Sequence, residues 1–401
     1  MKNFDKIKKT EQETQKTFDE EIPSHLFSHK DPSAFENYLE NYKNFYINNL
    51  KFPPKMFAET DLIDFGAGAG SNSICLASWG AKCTLVELSD KSLSIAKEVF
   101  EKNSKNLEAH RFVNSSIFDF NENKLYDIVH CRAVLSHTSA KEEAFKKICK
   151  LVKKGGYFIY GDPNKAGGFQ NMLQRYLVYK FSKNDEEIVK NSEFFFKNDI
   201  DRSQQAVDRT RKQIIFDRWV IQSQDDPSFE EICTWIYQSG LKLYSTYPTN
   251  PNFFITDSFY NKNKIDFGKI NNLSVLSEIL WMMKIEDDKD LVPHLEKDLS
   301  GLNKSFSNLT SYVANCNKKT QINSKDFNDL SAELTDSINS INFVGELKNK
   351  FIGFISESKN FIDVVNSGNI EDAKKFVDNS SFLFKGPCGI RHIDFIAYKE
   401  D

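Results

Sequence analysis

A glycine-rich turn near residue 66 restricts the fold of this chain more than any other feature. Residues 62–65 form a short apolar run that leads directly into Gly66, Gly68 and Gly70, and residues 71–78 follow it with a helical pattern. This order predicts a buried strand, a tight turn and a helix. The glycines leave room for a ligand because they carry no Cβ atoms, and the backbone N–H groups of the turn point outward.

The alternation of strand and helix continues for about 100 residues. Further strands are predicted at residues 82–87, 110–113, 126–130 and 157–160. A helix capped by Ser89 and Asp90 and a second helix over residues 141–151 separate them. Gly155 and Gly156 are expected to end the second helix, because glycine adopts the left-handed conformation of a helix stop. Five strands with helices between them predict an α/β fold with a doubly wound, mostly parallel sheet.

The regular alternation stops after residue 163, and two insertions are expected around the end of the sheet. Residues 164–227 are polar and predicted to be helical. A helix opened by the capping-box pair Ser228 and Glu231 follows, and then a strand at residues 241–245. Residues 251–388 show helical apolar periodicity, and residues 393–399 alternate like a final strand. The prediction is therefore a seven-stranded sheet with a large helical insertion before the last strand.

The expected domains follow from this layout. Residues 56–250 form the core, with residues 164–227 as a cap insertion; residues 251–388 form the helical insertion, and residues 389–401 return to the sheet. Residues 1–55 form an N-terminal helical lid segment. Aromatic residues at helical spacing over residues 34–50 indicate either a helix packed on the core or a lid with Tyr42 or Tyr46 facing the site. His25 and His29 are further lid candidates, although surface positions suit them better.

Composition excludes several functional classes. The formal net charge is −4, so the chain lacks the excess of Lys and Arg that tracking a phosphate backbone requires, and nucleic acid is an unlikely partner. No apolar stretch approaches the ~20 residues that span a bilayer, and the first thirty residues lack the apolar core of a signal peptide. The seven cysteines are scattered and show no metal-binding spacing. We therefore expect reduced thiols in a cytoplasmic protein, and no metal site.

The turn and a downstream acid predict a nucleoside ligand. Glu87 ends the second predicted strand 21 positions after Gly66, where a carboxylate can accept hydrogen bonds from both ribose hydroxyls. A dinucleotide fingerprint needs a third glycine at a position that Ser71 or Ser73 occupies here. The carboxylate of Asp64 would also repel a pyrophosphate. These two differences from the dinucleotide fingerprint favour, as the ligand, a nucleoside with an amino-acid tail over a dinucleotide.

Residues 62–163 resemble the class I S-adenosylmethionine-dependent methyltransferases. The resemblance rests on Asp64-x-Gly66-x-Gly68-x-Gly70, on Glu87, on residues 126–130, and on residues 151–157. The last segment is similar to the family's Leu-Lys-Pro-Gly-Gly turn, with Lys154 in place of proline. The resemblance implies S-adenosyl-L-methionine as the cofactor. The cofactor-binding residues that it implies are Asp64, Gly66, Ala67, Gly68, Gly70, Glu87, Leu88, Ser116, Ile117, Cys131 and Arg132.

The resemblance also implies roles for these residues. The glycines would line the methionyl part, with Asp64 near its ammonium group, and Leu88 would lie against the adenine. The family usually places an Asp after strand three that accepts from the adenine amino group; here Ser116 stands there with Ile117 beside it, and Asp119 is the alternative acceptor. Cys131 and Arg132 fall near the methionine moiety, although Cys131 also fits a small buried residue.

Catalytic candidates follow the fourth and fifth strands. His137 lies over the carboxyl ends of the strands, where it can act as a general base or begin a helix, and Asp162 is the second candidate. Asp217 and Arg218 can face an acceptor or form a buried ion pair. The expected function is methyl transfer to O, N or S of a small-molecule acceptor. Methylation of a peptide, glycan or RNA, and non-catalytic cofactor binding, are the alternatives, and the sequence admits a homodimer.

Overall fold

Seven strands form one sheet in the computed structural model of this chain, which describes residues 2–20, 27, 32–206, 209–220, 226–249, 267–283, 299–316, 321–341, 346–385, 389 and 391–401. His25 and His29 lie outside the described residues. The strands are β1 (Asp61–Phe65), β2 (Lys82–Glu87), β3 (Arg111–Asn114), β4 (Tyr126–Arg132), β5 (Val152–Pro163), β6 (Lys242–Tyr247) and β7 (His392–Tyr398).

The strand order is β3-β2-β1-β4-β5-β7-β6. The first five strands in this order are parallel, and β7 lies antiparallel to both β5 and β6. The seven-stranded, mostly parallel sheet that the sequence predicts is therefore confirmed. Because the chain order reverses at β1, the carboxyl ends of β1 and β4 face a crevice, which is where ligands bind in open α/β sheets.

Helices cover both faces of this sheet. Within the described part of the chain, nine α-helices precede β6: α1 (Lys2–Glu20), α2 (Pro32–Asn44), α3 (Ser71–Ser78), α4 (Asp90–Asn103), α5 (Lys141–Cys149), α6 (Phe169–Lys180), α7 (Asp185–Ala206), α8 (Arg211–Ile215) and α9 (Phe229–Gln238). Between β6 and β7 the described residues add α10 (Phe267–Met282), α11 (Ser300–Ala314), α12 (Ser324–Ser340), α13 (Leu347–Ser367) and α14 (Ile370–Asn379). The large helical insertion before the last strand is thus present.

The Gly155–Gly156 pair does not end a helix, so that prediction was wrong. Helix α5 already ends at Cys149, and both glycines lie inside β5, which is longer than expected. The pairing of β4 with β5 shifts register here. A Cβ atom on Gly156 would lie 2.8 Å from the Asp127 carbonyl oxygen, so the two strands can approach only where residue 156 has no side chain.

The last strand is buried between β5 and β6. Ile393, Phe395 and Ala397 face one side of the sheet and are fully buried. The Phe395 ring stacks on that of Phe229 at the start of α9, with centroids 5.2 Å apart. After the inserted helices, the chain therefore returns to the sheet as an interior strand between β5 and the edge strand β6.

The inserted helices pack on the cap helices and on α9. The Gln170 side-chain amide in α6 donates to the Met282 carbonyl oxygen at 2.9 Å, and the buried Glu278 carboxylate accepts from the Phe229 N–H at 3.0 Å. Burial raises the pKa of Glu278 to about 7. These contacts join α10 to the cap helix α6 and to α9.

The N-terminal helices lie on opposite parts of the domain. Tyr42 and Tyr46, in and just after α2, are buried in the apolar cluster on the α3–α4 face of the sheet. Of the two alternatives for residues 34–50, the structure therefore shows a helix packed on the core, and neither tyrosine faces the cavity described below. Helix α1 instead crosses the carboxyl edge of the sheet. Within the described residues, no helix has the length and apolarity to cross a bilayer.

Candidate functional site

A cavity of about 440 Å³ opens at the carboxyl edge of β1, β2 and β4. Its floor is the glycine turn and the residues that follow β2, β3 and β4, and α1 and the segment around α8 form its roof. The predicted site residues on its wall are Gly66, Ala67, Gly68, Glu87, Leu88, Ser116, Ile117, Arg132 and His137. The fold therefore brings together most of the residues that the sequence singled out.

A wider and more open groove of about 930 Å³ runs beside α5. Its wall mixes lysines such as Lys146 and Lys147 with glutamates such as Glu142 and Glu143. Of the predicted site residues only Ile117 borders it. The smaller cavity is the candidate functional site because the glycine turn and Glu87 converge on it.

The glycine turn reaches the cavity through its first three residues. Gly66 has a φ of +65°, and its N–H donates to the Val86 carbonyl oxygen at 2.8 Å. A Cβ atom at this position would lie 2.5 Å from the side chain of Val134, so the loop after β4 can close over the turn only at a glycine. Gly70 lies off the cavity wall and packs toward Ala96 in α4.

Glu87 is held rigidly at the centre of the cavity wall. One carboxylate oxygen accepts from the Gly68 N–H at 2.8 Å and the other from the Ser89 N–H at 2.9 Å. Burial raises the pKa of Glu87, while these backbone donors oppose the rise. Each carboxylate oxygen keeps a second lone pair for a ligand hydroxyl. The side chain is thus preorganised to accept two hydrogen bonds from a diol.

One part of the cavity wall is formed by apolar side chains, beside which backbone polar groups are exposed. Leu88, Ile117 and Phe118 line it, and helix α1 closes it from above. The Gln15 side-chain amide reaches the Leu88 carbonyl oxygen at 3.5 Å. Asp119, the alternative to Ser116, is not on the wall; its carboxylate is half exposed and pairs with Lys8 of α1. This part of the wall suits a flat aromatic base.

Asp64 lies beneath the turn rather than on the cavity. Its carboxylate is buried, with one oxygen 2.7 Å from His130 Nδ1 and the other accepting from the Ser73 hydroxyl. The Tyr42 hydroxyl lies 3.5 Å from His130 Nε2 and extends this buried chain of contacts. Both oxygens of Asp64 thus have protein partners. Sequence reasoning missed His130, although a histidine inside the apolar strand β4 was a signal for such a partner.

His137 is also on the cavity wall. Its ring contacts Phe18 of α1 edge-on, with centroids 5.3 Å apart. Its Nδ1 is buried and has no hydrogen-bond partner among the described residues. Burial lowers the pKa of His137, so the imidazole is neutral at physiological pH. A neutral ring nitrogen without a partner can accept a proton from a bound molecule.

Asp162 is buried behind His137 and does not line the cavity. One of its carboxylate oxygens accepts from the Ser136 N–H at 2.9 Å, which ties the end of β5 to the turn that carries His137. Burial raises the pKa of Asp162 to about 7, and the negative charge of Asp226 adds to the rise. The geometry gives Asp162 a positioning role beside His137.

The remaining predicted residues divide between wall and core. Arg132 is on the wall, and its guanidinium pairs with the buried Asp394 at 2.6 Å. Cys131 points into the core and is fully buried, which raises the pKa of its thiol. From the cap, Asp217 lies on the wall, paired with Arg209 at 3.0 Å. Arg218 turns away and pairs with Asp199 of α7.

The fold and the cavity together define a class of protein. A parallel sheet with a glycine turn after β1 and a preorganised carboxylate after β2 binds a nucleoside at its carboxyl edge. Residues 57–227 match a family model described as a methyltransferase domain. This match identifies residues 57–227 as a methyltransferase domain, in agreement with the family that the sequence motifs predicted.

Curated relatives cover part of the same region. The chain is 31% identical over 108 residues to a ubiquinone biosynthesis O-methyltransferase of Nitrosomonas europaea, which is 27% of this chain and 46% of that protein. It is 22% identical over 162 residues to the Rickettsia akari protein of the same name, which is 40% of this chain and 61% of that protein. The chain thus spans about half the length of these relatives.

Two solved methyltransferase structures are among the chains to which this one is similar. Magnesium protoporphyrin IX methyltransferase from Synechocystis, with bound SAH, is 14% identical, and the alignment covers 54% of this chain and 77% of that chain at a TM-score of 0.32. The N-methyltransferase NodS from Bradyrhizobium japonicum, in complex with S-adenosyl-L-homocysteine, is 17% identical over 39% of this chain and 74% of that chain, at a TM-score of 0.30.

Proposed function

We propose that this chain transfers a methyl group from S-adenosylmethionine to a nucleophilic atom of a small-molecule acceptor. One observation carries the proposal. A single cavity has the glycine turn, Glu87 and His137 together on its wall. A cofactor held by the turn and Glu87 would present its methyl group beside His137.

The residues on the wall fit the cofactor. The volume of about 440 Å³ lies within the ~300–1,000 Å³ typical of small-molecule sites. Glu87 offers two lone pairs to the ribose hydroxyls, Leu88 and Ile117 offer apolar surface to the adenine, and Gly66 and Gly68 offer backbone to the methionyl part. When bound, S-adenosylmethionine supplies an activated methyl group on a sulfonium. Both oxygens of Asp64 are engaged by His130 and Ser73, so we assign Asp64 to supporting the turn.

The acceptor side favours oxygen as the nucleophile. A hydroxyl must lose its proton near the transition state, and His137 on the cavity wall is the candidate base. Asp162 would hold the turn that carries His137 through the Ser136 N–H. The curated relatives in this region are named O-methyltransferases, which supports the same choice of atom.

Two segments would exclude water from the reaction. Helix α1 contributes Thr14 and Phe18 to the wall, and the cap contributes Arg209 and Asp217. Water exclusion strengthens electrostatic interactions in such a site and prevents hydrolysis. Residues 267–385 contribute nothing to the described wall and pack behind the cap. We therefore assign residues 1–55 and 164–227 to enclosing the ligands, and the helical insertion to supporting the cap.

The test uses the full-length protein and S-adenosylmethionine with a labelled methyl group. A panel of phenols, carboxylic acids, amines and thiols is offered in parallel with peptide and RNA fractions. We expect label to appear on hydroxylated small molecules, and His137→Ala to abolish most of the transfer without changing cofactor affinity. Label confined to the peptide or RNA fraction, or no transfer despite tight cofactor binding, would overturn the proposal.

A further inference from the structure

The base end of the cavity contains a carboxylate that the core of the domain does not supply. Among the described residues on the wall, the carboxylates are those of Glu11, Glu87 and Asp217. Glu87 lies at the middle of the wall, and Asp217 pairs with Arg209 of the cap. Glu11 belongs to helix α1 and comes down onto the loop that follows β3, beside Ser116.

The Glu11 side chain is largely covered there, although the same helix also carries exposed side chains. Its side chain is 12% exposed, whereas that of Glu13, two residues later, is 70% exposed. One carboxylate oxygen accepts from the Ser116 hydroxyl, and the other lies 3.2 Å from Lys8 Nζ. A carboxylate offers about four lone-pair positions, so Glu11 retains capacity to accept from a ligand.

Ser116 has less capacity for this role than Glu11. Its hydroxyl already donates to Glu11, and the same oxygen accepts from the Phe118 N–H at 3.0 Å. The exocyclic amino group of adenine is a hydrogen-bond donor and needs an acceptor. A carboxylate accepts a stronger hydrogen bond than a hydroxyl does.

We infer that Glu11 accepts a hydrogen bond from the adenine amino group and thereby couples cofactor binding to the closure of α1. This inference rests on the proposed function, since it takes S-adenosylmethionine as the ligand. Ser116 orients the Glu11 carboxylate. Other contacts hold the same helix: the Thr14 hydroxyl donates to the His137 carbonyl oxygen at 3.2 Å, and the Ser89 hydroxyl donates to Asp19. Recognition of the base therefore closes the roof over His137.

Calorimetry with two probes tests the contact. S-adenosylhomocysteine carries the amino group, and S-inosylhomocysteine carries a carbonyl oxygen in its place. We expect the native protein to prefer the adenine compound by at least about tenfold, because a charged acceptor facing that carbonyl is left unpaired. Glu11→Gln should reduce the preference to within about threefold, since an amide can accept from the amino group or donate to the carbonyl. Glu13→Gln is the matched control and should keep the native preference.

The outcomes separate the two proposals. If the native protein binds the adenine compound and discriminates, but Glu11→Gln retains the full preference, Glu11 does not read the base. If Ser116→Ala removes the preference while Glu11→Gln retains it, the serine hydroxyl is the reader. Equal binding of both probes by the native protein would overturn this inference and leave the proposed function standing. Failure to bind S-adenosylhomocysteine at all would overturn both.

Limited trypsin digestion tests the coupling to α1 without any turnover. Lys9 and Lys16 on this helix are exposed, with side chains 77% and 72% accessible. Saturating S-adenosylhomocysteine should slow cleavage after both lysines several-fold in the native protein. Saturating S-inosylhomocysteine should protect them much less. Equal protection by the two compounds would show that closure of α1 does not depend on the base.

Discussion

Replacing Glu87 with alanine should weaken S-adenosylhomocysteine binding about 100-fold. Each carboxylate oxygen accepts one backbone N–H and retains one lone pair for a ribose hydroxyl. A hydrogen bond to a charged group contributes roughly 1.5–3 kcal/mol, and two bonds at the lower value give about 3 kcal/mol. Since 1.4 kcal/mol corresponds to about a factor of ten, the loss is about two orders of magnitude.

The same substitution should lower stability modestly. Without the carboxylate, the N–H groups of Gly68 and Ser89 lose their acceptors, at about 1–3 kcal/mol for each group that water cannot reach. Glu87→Gln keeps the size of the side chain, but its NH2 group must face one of these backbone donors. We therefore expect this variant to lose affinity as well, about tenfold or more.

Isothermal calorimetry with S-adenosylhomocysteine measures the effect, and thermal unfolding in the absence of ligand identifies any misfolded variant. Asp119→Asn is the matched control, because that carboxylate lies outside the cavity wall and is half exposed. Its affinity should stay within about threefold of the native protein, since it loses only a surface contact. Glu87→Ala binding within the same margin, in a protein that unfolds normally, would refute the reasoning. Tighter binding of NAD than of S-adenosylhomocysteine would refute the choice of cofactor.

Three further predictions concern the acceptor side and the sheet. Burial holds the pKa of Asp162 near 7, against 3.8 ordinarily, so ionising this carboxyl costs native stability as the pH rises between these values. Asp162→Asn should therefore gain up to about 2–3 kcal/mol of unfolding free energy relative to the native protein between pH 5 and pH 8, measured by urea denaturation. His137→Ala should lower kcat by about 10²–10⁴-fold with an unchanged S-adenosylhomocysteine Kd. Phe395→Ala should lower the free energy of unfolding by about 3–5 kcal/mol, because it empties a fully buried site in β7, whereas Phe382→Ala at a 41% exposed position should cost far less.

Each of these has an outcome that contradicts it. A pH-independent difference between Asp162→Asn and the native protein would mean that this carboxyl stays ionised in the fold. If His137→Ala transfers methyl groups at the native rate, no proton is removed there. If Phe395→Ala unfolds like Phe382→Ala, the last strand does not complete the core.

Local sequence was sufficient for the first five strands and the cofactor motif. Each strand of that unit is a short apolar run, and the turn at Gly66 and the acid at Glu87 follow strand ends within the same stretch of chain. Parallel strands joined by helices admit few arrangements, so the position of these residues at one edge follows from their order. Even the last strand could be expected, because residues 393–399 alternate strongly.

Only the tertiary structure decided which polar residues of the site contact each other across long stretches of the chain. Beneath the turn, Asp64 contacts His130, which is 66 residues later in the chain. Asp162 accepts a hydrogen bond from the Ser136 N–H and does not line the cavity. Glu11 meets Ser116 across 105 residues. Side-chain direction and burial depend on packing between elements, and neither spacing nor periodicity encodes which surface a helix such as α1 will cover. The glycine turn and Glu87 predicted the ligand class from sequence alone, while the long-range contacts of α1, β5 and the cap determine which groups line the cavity.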